Sequence, residues 1–174
     1  MILGLLSDSH GRHERTAAAL RLLRDHGAAA FIHCGDIGDE RVLDVLAEYA
    51  VQFVWGNNDQ PDASLLRYCR ALGLNPTAEP PLRVEHDGRR LCVFHGHEPL
   101  FWRVVRILER GQPAPLHEVL GPVDYVLYGH THVASDARLG DVRLINPGAL
   151  TRAAEYTVAT LDLACDALRF LTVD

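Results

Sequence analysis

Residues with metal-binding chemistry follow short apolar runs at several points along the chain. Asp8 and His10, for example, come directly after the apolar run from Ile2 to Leu6. Aspartate, asparagine and histidine offer the oxygen and nitrogen atoms that divalent cations bind. If all such places meet in space, the sequence predicts a metal centre with these ligands: Asp8, His10, Asp36, Asn57, His95, His130 and His132.

Each of these residues has a simpler explanation when it is taken alone. Asp8 or Asp36 could be a helix cap or a loop carboxylate, and a single His95 could be a packed core histidine. The pair His130 and His132 is more specific, because alternate positions of an extended segment point to the same side. A buried cluster of carboxylates and imidazoles would be penalised by about several kcal/mol per ion unless a cation compensated it. The combination therefore favours a metal site.

The first third of the chain predicts alternating strands and helices. Apolar runs indicate strands over 2–6, 29–33 and 51–55, and helical spacing of leucine and alanine predicts a helix over 14–26. Asp39 is predicted to cap a second helix. Ligands of open α/β sheets gather outside the carboxyl ends of parallel strands, where each of these runs ends in polar residues. We therefore expect the candidate ligands to share one edge.

The rest of the chain predicts antiparallel strands joined to further helices. Asp87-Gly88 indicates a hairpin between 82–85 and 90–94, and two more hairpins are expected around Gly140-Asp141 and near Asp166. Helices are predicted over 63–72 and 99–110, a loop over 111–115, and a short strand over 125–128.

Composition limits the class of protein. A chain of 174 residues with 48% hydrophobic content predicts one compact domain, residues 1–174. Its first apolar run is too short for a secretory signal or a membrane span, and its four cysteines form no CxxC pair, so a cytoplasmic protein with reduced thiols and no membrane partner is expected. With a net charge of -6 and scattered basic residues, a nucleic-acid partner is disfavoured. The oligomeric state cannot be read, although Phe101 and Trp102 look exposed.

Five ordered motifs carry a resemblance to a known family. They are Asp8-x-His10, Gly35-Asp36, Gly56-Asn57-x-Asp59, His95-Gly96 and Gly129-His130-x-His132, and together they resemble the calcineurin-like metallophosphoesterases. The short chain, with Asn146-Pro147-Gly148 near its end, is similar to the small bacterial and archaeal phosphodiesterase branch. The resemblance implies an α/β fold in which a two-sheet β-sandwich is flanked by helices in four layers (αββα).

The resemblance also implies how two divalent cations would be held. One metal would be bound by Asp8, His10, Asp36 and His132, and the other by Asp36, Asn57, His95 and His130, with Asp36 bridging the two. Manganese is favoured by the resemblance, while zinc, iron, nickel and cobalt also suit ligands of this kind. Two divalent cations would leave the site positively charged after both carboxylates and a bridging hydroxide are counted, which would attract a phosphate ester.

The implied reaction is hydrolysis of a small phosphate ester by a hydroxide that bridges the metals. A catalytic metal lowers the pKa of water from about 15.7 to roughly 7. Phosphodiesters are the expected substrates, with phosphomonoesters left open. Many family members carry histidine, as a proton donor, at the position of Asn58; because Asn58 cannot titrate, a preference for activated or aryl esters is predicted. His97 is either a substitute donor or a loop histidine.

Other functions and roles stay open at this point. A silent binding scaffold on the same fold would be expected to lack ligands, and a nuclease would need a basic groove. Asp59 either orients a ligating histidine or caps its own loop. Asn146 could frame the site, and His33 is interpreted as an exposed or strand-packed residue.

Overall fold

Ten strands form two five-stranded sheets in a computed structural model, which describes residues 1–76, 79–111 and 113–174. Within the described ranges the strands are β1 (Ile2–Leu6), β2 (Ala30–His33), β3 (Gln52–Phe53), β4 (Leu82–His86), β5 (Arg89–Val93), β6 (Tyr125–Leu127), β7 (Ser135–Leu139), β8 (Val142–Asn146), β9 (Thr157–Asp162) and β10 (Ala167–Thr172). The first sheet has the order β10-β9-β1-β2-β3, and the second has the order β4-β5-β6-β8-β7. The predicted parallel strands in the first third of the chain are confirmed, and so are the three predicted hairpins, β4-β5, β7-β8 and β9-β10.

Helices cover the outer faces of the sheets. They are α1 (His13–Asp25), α2 (Glu40–Glu48), α3 (Ala63–Ala71), α4 (Pro99–Glu109) and α5 (Ala114–Leu120). One apolar cluster joins α1 and α2 to the first sheet, a second lies between the sheets, and a third joins α4 and α5 to the second sheet. Because each sheet buries both faces, the fold is the predicted four-layer sandwich.

The parallel strands give the fold one functional edge. β1 pairs in parallel with β2, and β2 with β3, while β5, β6 and β8 are parallel neighbours in the second sheet. The loops that carry the candidate ligands follow the carboxyl ends of these parallel strands, as the sequence predicts.

Local signals in the sequence are confirmed at the caps and turns. The Asp39 side chain accepts a hydrogen bond from the Arg41 amide at 2.8 Å and begins α2. Asp87 and Gly88 have φ values of 50° and 71°, the two left-handed positions that a tight hairpin between β4 and β5 requires.

Two expectations are wrong. The predicted loop over 111–115 contains the start of α5, because proline is tolerated in the first turn of a helix, where its missing N–H leaves no bond unmade; residue 112 lies outside the described residues. Phe101 is only 4% exposed, since its ring packs on Phe94 and Tyr128, whereas Trp102 is 57% exposed as expected. In the part of the chain that the structure describes, no helix combines the length and apolar character needed to cross a bilayer.

Candidate metal centre

The seven candidate ligands lie on loops that leave β1, β2, β3, β5 and β6 at the shared edge. Five of them have left-handed backbone conformations, with φ between 41° and 66°: Asp8, His10, Asp36, His130 and His132. Non-glycine residues rarely adopt this conformation, and where they do the surrounding structure must hold them, as happens at functional sites. The loops are therefore sharply turned so that their side chains converge.

Asp8, His10 and His132 form the first candidate group, with ligand atoms within 4.8 Å of one another. Asp8 Oδ1 lies 3.2 Å from His132 Nε2 and 3.9 Å from His10 Nε2. Asp8 Oδ2 accepts a hydrogen bond from the His130 amide at 3.0 Å, whereas the buried Oδ1 has no hydrogen-bond partner among the described residues. A buried carboxylate oxygen without a donor fits a cation ligand, because leaving it unpaired would be unfavourable.

Asp8, Asp36 and His95 form the second group, also within 4.8 Å of one another. His95 Nε2 lies 3.3 Å from Asp36 Oδ2 and 3.0 Å from Asn57 Oδ1, and the His130 ring lies 5.0 Å from the His95 ring. The other three ligands predicted for the second metal therefore each lie beside His95.

Asp36 belongs to the second group and lies between His10 of the first group and His95. Its Oδ2 is 3.4 Å from His10 Nε2 on one side and 3.3 Å from His95 Nε2 on the other. This carboxylate is thus placed where a shared ligand of two cations would have to be.

Backbone carbonyls fix which ring nitrogen faces the centre. His95 Nδ1 lies 2.8 Å from the carbonyl of Cys34, and His132 Nδ1 lies 3.3 Å from the carbonyl of Arg152. Because a carbonyl only accepts, Nδ1 carries a proton in each ring, so Nε2 is the nitrogen whose lone pair a cation could use. This is the tautomer that a metal ligand needs.

Burial and neighbouring charge shift the acids of the site in opposite directions. Burial raises the pKa of Asp8, and the nearby Ser7 hydroxyl and the charges of His95 and His132 oppose that shift only in part. Burial would also raise the pKa of Asp36, but the His95 bond and charge and the donors of Asn58 hold it well below its usual range. Asp36 therefore stays ionised, as a bridging ligand must.

The pKa values of the histidines in the site are also shifted in opposite directions. Burial lowers the pKa of His10 and of His130, which keeps both rings neutral. For His95, burial alone would lower the pKa, but the bond and charge of Asp36 raise it overall. A cation would therefore have to displace a proton from His95.

Cys34 does not add a thiolate to the site. Burial raises the pKa of its thiol well above the usual value, so the sulfur stays protonated. It is the carbonyl of Cys34 that contacts His95. The donor set is therefore nitrogen and oxygen only, as the sequence predicts.

Asn58 and Asp59 support the centre from the loop that carries Asn57. The Asn58 amide donates to Asp36 Oδ1 at 2.9 Å, and its side-chain Nδ2 donates to Asp36 Oδ2 at 2.7 Å. The Asp59 carboxylate accepts the amides of Ile37, Gly38 and Gly56. Of the two roles left open for Asp59, the structure shows the loop-capping one.

His97 lies beside the cluster without joining it. Its ring centroid is 5.5 Å from that of His95 and 6.4 Å from that of His130, and its side chain is 36% exposed. Nδ1 is 4.0 Å from a Glu98 carboxylate oxygen, too far for a hydrogen bond. Nδ1 of His97 thus has no hydrogen-bond partner among the residues that the structure describes, and the ring lies close to the centre.

Asn146 and Gly129 shape the loop with His130 and His132. The Asn146 side chain, buried at the end of β8, donates to the carbonyl of Gly129 at 2.8 Å and lies 3.0 Å from the Thr131 hydroxyl. A Cβ on Gly129 would overlap the Ser7 hydroxyl and lie 2.7 Å from Asp8 Oδ2, so only glycine allows this approach. The suggested framing role of Asn146 agrees with these contacts.

Two supporting residues were not found from the sequence. The buried Glu98 carboxylate accepts the amides of His95 at 2.8 Å and Gly96 at 2.7 Å. His33 bonds to Ser9 and Gly35, between candidate ligands. Glu98 had a usable signal, because it directly precedes Pro99 at the start of a predicted helix.

A cavity of about 710 Å³ adjoins the centre on the side of Asn58. Ile37, Leu43, Trp55 and Leu65 provide its apolar wall, and its other lining residues are Gly38, Asp39, Glu40, Asn58, Asp59, Gln60, Asp62 and Ser64. Since Asn58 contacts Asp36, an organic group in this cavity would lie one side chain away from the candidate ligands.

Comparison with known proteins gives one family and one fold. A family model described as the calcineurin-like phosphoesterase superfamily domain matches residues 1–166. The phosphodiesterase MJ0936 of Methanocaldococcus jannaschii is 27% identical over 150 residues, which cover 85% of this chain and 83% of that protein. The probable metallophosphoesterase YsnB of Bacillus subtilis is 28% identical over 174 residues, covering 95% of this chain and 88% of that protein.

A solved structure described as a novel archaeal phosphodiesterase has the same fold. It superposes with a TM-score of 0.80 over 99% of this chain and 100% of its own, at 24% identity. At this level of identity the likeness shows the architecture alone.

Proposed function

Since the chain belongs to the calcineurin-like phosphoesterase superfamily, we propose that it is a binuclear metal-dependent phosphodiesterase. The position of Asp36 is the observation that carries the proposal. Its Oδ2 lies 3.4 Å from His10 Nε2 and 3.3 Å from His95 Nε2, and these two histidines belong to different candidate groups. One cation would take Asp8, His10, Asp36 and His132, and the other would take Asp36, Asn57, His95 and His130.

Two divalent cations supply, when bound, a nucleophile from water at neutral pH and a positive charge that offsets the phosphate. The residues of the chain set the charge of the site. Among the seven candidate ligands only Asp8 and Asp36 are carboxylates. Asn57 is neutral, and the lowered pKa values of His10 and His130 keep those two rings neutral. The cations would thus keep a positive surplus that attracts a phosphate ester although the whole chain is acidic.

Protonation of the leaving group is the step for which the candidate site offers the least support. Asn58 contacts Asp36, but its backbone N–H and one N–H of its Nδ2 already donate to that carboxylate, and an amide does not titrate. His97 is the nearby group that could carry a proton, and its ring lies 5.5 Å from that of His95. We therefore propose a preference for aryl and other activated esters, with diesters ahead of monoesters.

Manganese is the metal that we propose, with zinc, iron, nickel and cobalt as alternatives. Imidazole nitrogen, carboxylate and amide oxygen suit these metals better than calcium or magnesium. Neither candidate group in the described part of the chain includes a cysteine, so the sulfur ligand that would favour zinc or copper(I) is not offered.

The proposed partner is a small phosphate ester, and the proposed location is the cytoplasm. The run Ile2–Leu6 forms a strand inside the first sheet, and all four cysteines are free thiols. A net charge of -6 argues against a nucleic acid as substrate, because phosphate backbones bind to basic surfaces.

The test is hydrolysis after removal and return of metal. Protein stripped with a chelator should cleave neither bis(p-nitrophenyl) phosphate nor p-nitrophenyl phosphate, and added Mn²⁺ should restore cleavage, more for the diester. Asp36→Asn should remove this activity while circular dichroism shows an intact fold. If metal-loaded protein cleaves no ester, the proposal is wrong and a binding scaffold on the same fold would be the better explanation.

A further inference from the structure

His33 lies beneath the metal centre, although it is not one of the seven candidate ligands. It is the last residue of β2, and it is 0% exposed. Its Nδ1 accepts a hydrogen bond from the Gly35 amide at 3.1 Å, and its Nε2 lies 2.7 Å from Ser9 Oγ. Because an amide only donates, Nδ1 carries the lone pair and Nε2 carries the proton that is donated to Ser9.

The two partners of the ring belong to the two loops that carry Asp8, His10 and Asp36. Ser9 stands between Asp8 and His10, and Gly35 directly precedes Asp36. The same loops are joined through their backbones, since the Asp8 amide donates to Gly35 at 3.0 Å and the His10 amide donates to Asp36 at 2.9 Å. The ring of His33 adds a side-chain connection below that backbone pairing.

The hydrogen bonds continue from Ser9 into α1. Ser9 Oγ lies 3.0 Å from Thr16 Oγ1, which lies 2.9 Å from the carbonyl of Arg12. If Ser9 accepts the ring proton, its own proton can go to Thr16, and the Thr16 proton can go to Arg12. Each hydroxyl in this buried series then accepts one proton and donates its own to the next group, so the hydrogen bonds all run from His33 towards the carbonyl of Arg12.

The connection matters because the ligand loops are strained. Asp8, His10 and Asp36 have φ values of 55°, 41° and 59°. A conformation of this kind is unfavourable for residues other than glycine and persists only where the surrounding contacts hold it. Burial lowers the pKa of His33 to about 3, which agrees with a neutral ring whose Nδ1 accepts from Gly35.

We propose that His33 is a positioning residue of the metal centre, which holds the loops of Asp8, His10 and Asp36 at the separation that cations require. It does so through Ser9 and Gly35 and does not bind metal itself. This inference rests on the proposed function, because it concerns the same centre. Residues that orient metal ligands in this way typically change metal affinity by about 10- to 100-fold when they are replaced.

Three variants separate this role from a general role in stability. Ser9→Ala removes the partner of Nε2 and leaves His33 in place. His33→Asn keeps an acceptor near Gly35, because the asparagine oxygen can replace Nδ1, but it does not reach Ser9. Ile32→Val is the control, since Ile32 is the adjacent residue of β2, is equally buried, and contributes only to apolar packing.

Mn²⁺ affinity per folded molecule is the first readout, measured by calorimetry on stripped protein. We expect Ser9→Ala and His33→Asn each to weaken binding by about 10- to 100-fold, and Ile32→Val to remain near the wild type. The double variant should lose little more than the weaker-binding single variant, because both changes remove the same contact. Diester hydrolysis should recover when excess Mn²⁺ is added to either variant.

The outcomes are distinguishable. If both variants fold and bind Mn²⁺ within about threefold of the wild type, His33 has no positioning role and the inference is overturned, while the proposed function stands. If the wild type itself binds no Mn²⁺, the proposed function falls and the positioning role falls with it. Should His33→Asn fail to fold, Ser9→Ala decides the question alone.

Discussion

Replacement of Asp59 by asparagine tests how the loop that carries Asn57 is held against the loop that carries Asp36. Asp59 Oδ2 accepts the amides of Gly56 at 2.8 Å and Ile37 at 3.1 Å, and Oδ1 accepts the amide of Gly38 at 2.9 Å. Asparagine keeps one oxygen, which can still serve two of these amides. Its NH2 group must then face the third amide, donor against donor.

The expected loss of stability follows from these three bonds. A hydrogen bond to a charged acceptor contributes about 1.5–3 kcal/mol, against about 0.5–1.5 kcal/mol for a neutral pair. Gly38 is exposed, so water can replace the bond that is lost there. We therefore expect Asp59→Asn to reduce the free energy of unfolding by about 2 kcal/mol, or the melting temperature by about 4–8 °C.

Thermal denaturation and Mn²⁺ titration measure the two consequences together. Mn²⁺ binding should weaken roughly tenfold, because Asn57 loses its fixed position. Asp62→Asn is the matched control, since Asp62 caps α3 through the Leu65 amide and asparagine is an equally good cap. A variant at Asp59 that melts within about 1 °C of the wild type and binds Mn²⁺ unchanged would refute the reasoning.

Three further changes test other parts of the molecule. His97→Ala should reduce hydrolysis of a diester with a poor alkyl leaving group by roughly 100-fold and of an aryl diester much less, because only the poor leaving group needs a proton. Gly129→Ala would place a Cβ 2.7 Å from Asp8 Oδ2, so we expect weaker Mn²⁺ binding and a loss of stability of about 1–3 kcal/mol. His117→Asn should lower the melting temperature slightly near pH ~5.5 and leave it unchanged near pH ~9.

The sign of the His117 effect comes from its partner. The hydrogen bond that His117 Nε2 donates to the Asp141 carboxylate raises the pKa of His117 above 6.5, so the stabilisation is complete below 6.5 and is lost as the pH rises through the raised value. A melting temperature that responds equally at both pH values would contradict this explanation. For His97, equal losses on both diesters would exclude proton donation, and for Gly129, unchanged Mn²⁺ affinity would show that Asp8 can move without effect.

The sequence by itself predicted the candidate ligands and determined the general architecture. Apolar runs that precede Asp8, Asp36 or His95 could be read as strands that end in polar residues, because the pattern of apolar and polar residues is a local property of the chain. The rule that parallel strands present their carboxyl ends at one edge then predicted that the exits meet. The caps at Asp39 and the turn at Asp87-Gly88 were readable for the same reason, since their conformations depend on residues that are near in sequence.

Only the tertiary structure decided how the ligands are held. The proton on His95 Nδ1 is fixed by the carbonyl of Cys34, 61 positions away in the chain, and Asn58 is directed at Asp36 across 22 positions. The hydrogen-bond partners of Glu98 and His33 likewise could not be read from the sequence. Neither a histidine at the end of a strand nor a glutamate before a proline states which amide it will meet.

The difference has a physical reason. Strand and helix propensity, capping and turn formation are set by neighbours within a few residues, so they can be read along the chain. Hydrogen-bond partners, tautomers and pKa shifts depend on atoms brought together by folding and on the water that folding removes. The sequence therefore specified which atoms could bind metal, and the packing of the two sheets decided which of those atoms face one another.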